Sequence, residues 1–168
     1  MEKYKWLAAV IAAHPDHKVV GRTRLQKTVM LLQRLGAPMD YDYMIHFYGP
    51  YSEGVQADIG LLEAFGFIRE ERHNRPGSPP YFVLKATDAA KKLAELPEVK
   101  KFDAVIQIMN KADAVVLELA ATYDAFRAMG EKHTSALARL KRKKGKKCDE
   151  DRDRKALNLL KELDLPHK

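Results

Sequence analysis

Apolar residues recur at helical spacing over the first 35 positions. Trp6, Leu7, Val10 and Ile11 mark a helix over residues 2–13, which Pro15 forces to stop at His14. Thr23 stands three residues before Gln26, the spacing of a capping box, and opens a second helix burying Leu25, Val29, Leu32 and Leu35 before Gly36. Tyr41 to Tyr48 is aromatic and β-branched and reads as a short strand broken by Gly49-Pro50. Ser52 is an N-cap residue for a third helix burying Val55, Ile59, Leu62 and Phe65 and ending at Gly66.

Two strand-like runs follow, Phe67–Arg72 and Tyr81–Lys85. The segment between them, 73–80, holds three prolines and a glycine, which predicts an irregular, exposed hairpin tip. Thr87 then caps a helix carrying Leu93 and Leu96. The order helix, helix, strand, helix, hairpin predicts a winged helix-turn-helix over residues 1–97, because the hairpin closes the open side of three amphipathic helices.

Residues 98–168 read as a helical extension. Phe102, Val105, Ile106 and Met109 form one stripe, and Val116, Leu119, Ala120, Tyr123 and Phe126 a longer one. Thr134 or Ser135 starts a short helix with Leu137 and Leu140, which runs into a basic turn at 139–147. Asp149 starts a last helix burying Ala156, Leu157, Leu160 and Leu163, stopped by Pro166. The expected fold is therefore mainly α with a small β-hairpin.

The residues also carry a family resemblance. Gly21-Arg22-Thr23-Arg24-Leu25-Gln26-Lys27 with Leu31-Leu32-Gln33 forms the first motif, and Phe47-Tyr48-Gly49-Pro50-Tyr51-Ser52 the second. Together with Leu61-Leu62-Glu63 before Gly66-Phe67-Ile68, they resemble the YwgA-like proteins of bacteria and archaea. More loosely, they are similar to the Panacea (SocA-like) antitoxin domains. The ending Ala156-Leu157-Asn158-Leu159-Leu160-Lys161-Glu162-Leu163 is similar as well. The resemblance implies a winged-helix-like fold in phage-associated, toxin–antitoxin or regulatory settings.

Charge adds a candidate partner. The net charge is +7, and seven of the nine residues from Arg139 to Lys147 are basic. Such a run either attracts phosphates or is a solvated linker. The candidate nucleic-acid contacts are Arg22, Arg24 and Lys27 around the second helix's start, and Arg69, Arg72 and Arg75 on the wing. Arg139, Lys141, Arg142, Lys143, Lys144, Lys146 and Lys147 form the patch. The third helix has no Lys or Arg, which counts against major-groove insertion, and leaves Gln56 as its base-reading candidate. The rival expectation is an antitoxin-like module that docks a toxin or regulatory partner through its acidic third helix, with Tyr48, Tyr51, Glu53 and Asp58 as the contacts. A third is a homodimer joined through the Val116–Phe126 helix.

Catalytic patterns are not evident: there is no Walker loop, G-x-S-x-G or H-E-x-x-H. No enzyme activity, cofactor or metal is expected. His14, Asp16 and His17 suit a helix-end loop better than a metal site. Cys148, the only cysteine, lies beside Lys146-Lys147, which can lower a thiol pKa, but with no partner histidine nearby in sequence it reads as an incidental exposed thiol. The aromatic cluster Tyr41, Tyr43, Phe47, Tyr48 and Tyr51 is expected to pack inward. The apolar run Leu7–Ala13 lacks a cleavage site and the length to span a bilayer, so no membrane contact and a cytoplasmic location are expected.

Overall fold

Every side chain from Trp6 to Ala12 is buried in α1 (Lys3–Ala13), so this helix is enclosed rather than lying on a surface by one stripe. Three alanines among those seven residues let neighbouring elements approach it closely. His14 follows, with its Nδ1 donating to Val10 O at 2.7 Å. The computed structural model describes all 168 residues; they form a mainly helical chain with two small antiparallel sheets. No helix is long and apolar enough to cross a membrane.

The larger sheet has the order β1-β5-β4, built from β1 (Lys18–Val20), β4 (Ile68–Arg75) and β5 (Ser78–Ala86). Three residues are too few for β1 to reveal a period in the sequence, and it was not expected. The β4–β5 ladder also runs further than expected, from Ile68 opposite Ala86 out to Arg75 opposite Ser78. Pro76-Gly77 makes the turn, with Gly77 at φ +71°, the Pro-Gly arrangement of a type II turn. Pro79 and Pro80 are tolerated because β1 pairs only with Val83–Lys85, leaving the outer part of β5 with a free edge.

Helix α2 (Arg22–Arg34) starts before Thr23, with Gly21 at its N-cap and no side-chain cap, so the expected capping box does not form. Gln26 instead faces inward. Its amide donates to Ser52 O and accepts from Ser52 N, both at 2.9 Å. That pairing ties α2 to the start of α3 (Glu53–Ala64), where Ser52 caps Val55 N as expected. Val55, Ile59 and Leu62 are buried, but Phe65 is 59% exposed because it lies at the helix's C-cap, where the chain turns away from the core.

Between α2 and α3 the chain forms a second sheet rather than one strand. β2 (Met44–His46) and β3 (Gly49–Tyr51) pair around a Phe47-Tyr48 turn, so Gly49-Pro50 begins a strand instead of ending one.

The remaining helices are α4 (Asp88–Ala94), α5 (Pro97–Lys100), α6 (Asp103–Lys111), α7 (Ala114–Ala128), α8 (His133–Lys144) and α9 (Glu150–Glu162). Thr87 precedes α4 but its hydroxyl donates to Gly66 O and Phe67 O rather than capping. Helix α8 begins at His133, ahead of Thr134 and Ser135. The expected basic turn is mostly helix: α8 continues to Lys144, and only Gly145–Lys147 forms a short 3-10 turn. Asp149 caps α9 by accepting from Arg152 N.

Helix α7 is buried continuously from Val116 to Phe126 and packs against α2, β3, α8 and α9. It therefore has no free face along that stretch for the dimer contact expected of it. One hydrophobic cluster joins α1, α2 and α3 to α6, α7 and α9.

Gly49 is where β3 meets α7. Its φ is +89°, and a Cβ there would lie 2.5 Å from Thr122 Oγ1. Gly36 has a similar φ, +93°, but open space around it. Gly36→Ala is expected to cost about 1 kcal/mol, the backbone strain alone, and Gly49→Ala about 2–4 kcal/mol because the clash adds to it. Urea denaturation distinguishes them, and equal losses would mean that the hairpin can shift away from α7.

Candidate functional site

A carboxylate in an apolar helix needs a cation. Glu118 is the lone acid in Val115-Val116-Leu117-Glu118-Leu119-Ala120 on α7 and is 5% exposed. Its Oε1 accepts from Lys144 Nζ at 2.6 Å, and its Oε2 lies 3.5 Å from Lys147 Nζ. Lys144 also donates to Phe47 O at 3.2 Å. From the other side Lys27, 2% exposed on α2, donates to Pro50 O at 2.7 Å. Two buried ammonium groups thus satisfy inward carbonyls of the β2–β3 hairpin, and Glu118 offsets their charge. Burial pushes the Lys27 pKa down to about 8, opposed by Glu118 and reinforced by Lys144. Burial also lowers the pKa of Lys144, against the hydrogen bond it donates to Glu118.

Bracing the hairpin from behind leaves its tip in solvent. Phe47 is 80% exposed and Tyr48 56% exposed, contrary to the expected inward packing of the aromatic cluster. Only Tyr41 is fully buried, its hydroxyl donating to Asp58 Oδ2 at 2.6 Å, and Tyr43 is partly so. The Phe47 and Tyr48 rings stand nearly perpendicular, 5.2 Å apart, and Lys147 Nζ lies 4.8 Å over Tyr48. His46 and Tyr51 stack at 4.8 Å. With Arg22, Thr23 and Gln56 they border a cleft of about 290 Å³ beside the finger.

The expected contact residues separate into braced and free groups. Arg22 Nε donates to Glu70 Oε2 at 2.7 Å, and its guanidinium lies 4.0 Å over the Phe82 ring. Arg24 donates to Met109 O at 3.0 Å and Ala112 O at 2.8 Å, closing the C-terminal end of α6. Lys27 and Lys144 are buried and committed to the hairpin carbonyls. Arg139 pairs with Glu131 and packs 4.1 Å over Phe126, while Lys141 pairs with Asp153 at 3.4 Å. Arg142, Lys143 and Lys146 are exposed, and Lys147 is partly exposed. On the β4–β5 hairpin Arg69, Arg72 and Arg75 are exposed, with Arg75 4.2 Å over the Tyr81 ring. Gln56 faces the cleft, Tyr51 forms its wall and Glu53 is exposed, but Asp58 is committed to Tyr41.

Two distant sequence segments do meet. Arg75 and Tyr81 share a second cleft, about 220 Å³, with Thr23, Arg24, Lys27 and Glu118. Glu118 in turn contacts Lys144 and Lys147. The tip of the β4–β5 hairpin, the start of α2 and the basic end of α8 therefore border the N-terminal half of α7. Sequence reasoning missed Glu118 as the organising residue, although a single acid inside an apolar helical run was a legible signal.

The remaining polar candidates are structural. His14 is buried, which pushes its pKa down to about 4, and His17 Nδ1 sits 2.6 Å from Ala12 O. No group of three His, Cys, Asp or Glu side chains converges as a metal site. Cys148 donates to Asp153, and its pKa is pushed up to about 12 by burial and that carboxylate. A lowering by Lys146 and Lys147 does not occur, because burial and the hydrogen bond to Asp153 both favour the neutral thiol.

No family model matches the chain. It is similar to the uncharacterized protein YwgA of Bacillus subtilis (strain 168), with 28% identity over 150 residues. The match covers 87% of this chain and 88% of that protein, so it supports a YwgA-like family across nearly the whole length.

The Lys27 shift has a defined sign. Its ordinary value is 10.5 and its folded value about 8, so between those pH values the unfolded chain holds the extra proton. Folding stability from this group therefore rises with pH across that window. Relative to Lys27→Met, the wild type is expected to gain up to about 3 kcal/mol between pH 7.5 and 10.5 in urea denaturation. A flat difference would mean that Lys27 is solvated.

Proposed function

We propose that this chain is a non-enzymatic winged-helix protein of the cytoplasm that contacts nucleic acid through its wing and the basic end of α8. The order α1, β1, α2, α3, β4, β5 with sheet order β1-β5-β4 supports the winged-helix reading, with β4–β5 as the wing. The observation that carries the nucleic-acid reading is the convergence of exposed Arg75 and the Lys147-bearing end of α8 around Glu118. Lys143 and Lys146 extend that edge, and Arg69 and Arg72 extend the wing. Such a surface recognises the phosphate backbone, with little base reading, since α3 carries no Lys or Arg. The relation to YwgA is compatible with a regulatory or defence-associated role.

An antitoxin-like docking through α3, the role suggested by the Panacea likeness, has less support. Asp58 accepts from Tyr41 and Glu63 accepts from Glu70 N, which leaves Glu53 as the uncommitted acid among them.

Fluorescence anisotropy with labelled DNA across a salt series tests the reading. Binding is expected with a steep negative slope of log affinity against log salt. Replacing Arg69, Arg72 and Arg75 with Ala should flatten it by about 0.9 for each phosphate no longer neutralised. No binding at low salt overturns the reading, and an unchanged slope in the triple variant removes the wing from it.

A further inference from the structure

Basic residues account for phosphate contacts, but they leave the most exposed aromatic ring in the protein without a role. Phe47 is 80% exposed at the tip of a two-residue turn. Hydrophobic exposure of that degree on a flexible loop would be unremarkable. Here the turn is fixed: Lys144 Nζ holds the Phe47 carbonyl, Lys27 Nζ holds the Pro50 carbonyl, and Gly49 is pressed against Thr122. The main chain that carries the ring is anchored by two buried charges, while the ring, edge-on to Tyr48, is open to solvent. A stacking platform requires this combination, because an ordered aromatic face loses little freedom when a ligand covers it.

The surroundings fit a nucleobase and its phosphates better than an aliphatic partner. Lys147 already lies over the face of Tyr48 at 4.8 Å, and Lys143 and Lys146 are exposed on the same basic segment. Below the finger, the stacked His46–Tyr51 pair walls the 290 Å³ cleft, and Thr23 and Gln56, which carry a hydroxyl and an amide, are on its lining. Those two groups both donate and accept hydrogen bonds, as the edge of an unpaired base requires. Aromatic rings interleaved with cations are the usual composition of surfaces that bind single strands, where bases stack and the backbone follows the charges. A paired duplex keeps its base faces covered, and α3 offers no cation with which to enter its groove.

We infer that the Phe47-Tyr48 finger and the adjoining cleft form a binding site for single-stranded nucleic acid. One base stacks on Phe47, and its neighbour enters the cleft toward Thr23 and Gln56. The intervening and flanking phosphates lie toward Lys143, Lys146 and Lys147. This rests on the proposed nucleic-acid function and deepens it: the wing and patch supply sequence-independent attraction, and the finger selects unpaired strands.

Competing titrations of labelled single-stranded and duplex oligonucleotides of the same sequence, with the full chain at fixed salt, test the site. Wild type is expected to favour the single strand. Phe47→Ala should weaken single-strand binding by about 5- to 150-fold, the range for loss of one base–aromatic stack, without changing the salt slope, because every phosphate keeps its cation. Phe47→Tyr should restore it. The ring is exposed, so equal melting temperatures for the three proteins verify that folding is untouched. Salt-dependent binding that is unchanged in Phe47→Ala, or that favours duplex, overturns the stacking site and leaves the backbone-binding function standing. Absence of binding to either oligonucleotide overturns both.

Discussion

The Glu118 carboxylate sits where α7 meets α8, α2 and the β2–β3 hairpin, and it offsets the two buried ammonium groups that brace that hairpin. A buried acid with Lys144 at 2.6 Å is stable only while the pair is intact; removing one partner of such a pair typically costs about 3–5 kcal/mol, because the other charge is left unpaired. Its position on α7 brings α8 inward through Lys144 and steadies the Lys27 charge on α2. Those ammonium groups then reach Phe47 O and Pro50 O. A hairpin with two three-residue strands has no independent stability. The β2–β3 finger is held by the packing of β3 on α7 and α2 and by the charges behind it that satisfy its carbonyls.

The same arrangement connects the N-terminal and C-terminal halves. Gln26 fixes α2 to the beginning of α3 through both polar groups of Ser52, and Arg24 closes α6 from α2. Arg34 Nε meets the buried Asp124 of α7 at 2.8 Å. Side chains of α2 that read in sequence as free for a polyanion thus act as internal struts. Among the candidate phosphate contacts, the exposed cations lie on the β4–β5 hairpin and from Lys141 onward at the end of α8, at the edges of this framework rather than at its centre.

Much of the secondary structure was legible because local signals and packing agree. Pro15, Gly36, Ser52, Gly66 and Asp149 mark helix ends by rules that operate within a few residues. The errors occurred where tertiary contacts overrode a local rule. Thr23 and Gln26 have capping-box spacing, yet Gln26 is recruited by Ser52 across 26 positions. Pro79 and Pro80 suggest a loop, yet the short β1 leaves the edge on which they fit. The site was less legible. Lys27 and Lys144 are indistinguishable in sequence from surface lysines such as Lys143, and only the position of Glu118 separates them. Phe47 and Tyr48 belong to an aromatic run of which some members are core, and the turn that exposes these two depends on pairing that three-residue strands do not announce.

If Glu118 organises the finger, its loss should be felt there first. Amide hydrogen exchange of the wild type and Glu118→Gln, followed residue by residue, measures this directly. The account predicts that the amides of Met44–Gly49 and Tyr51 exchange at least about tenfold faster in the variant, while those of α1 and the β4–β5 ladder keep most of their protection. Protection that falls evenly over the whole chain, or that persists in the hairpin, would contradict it.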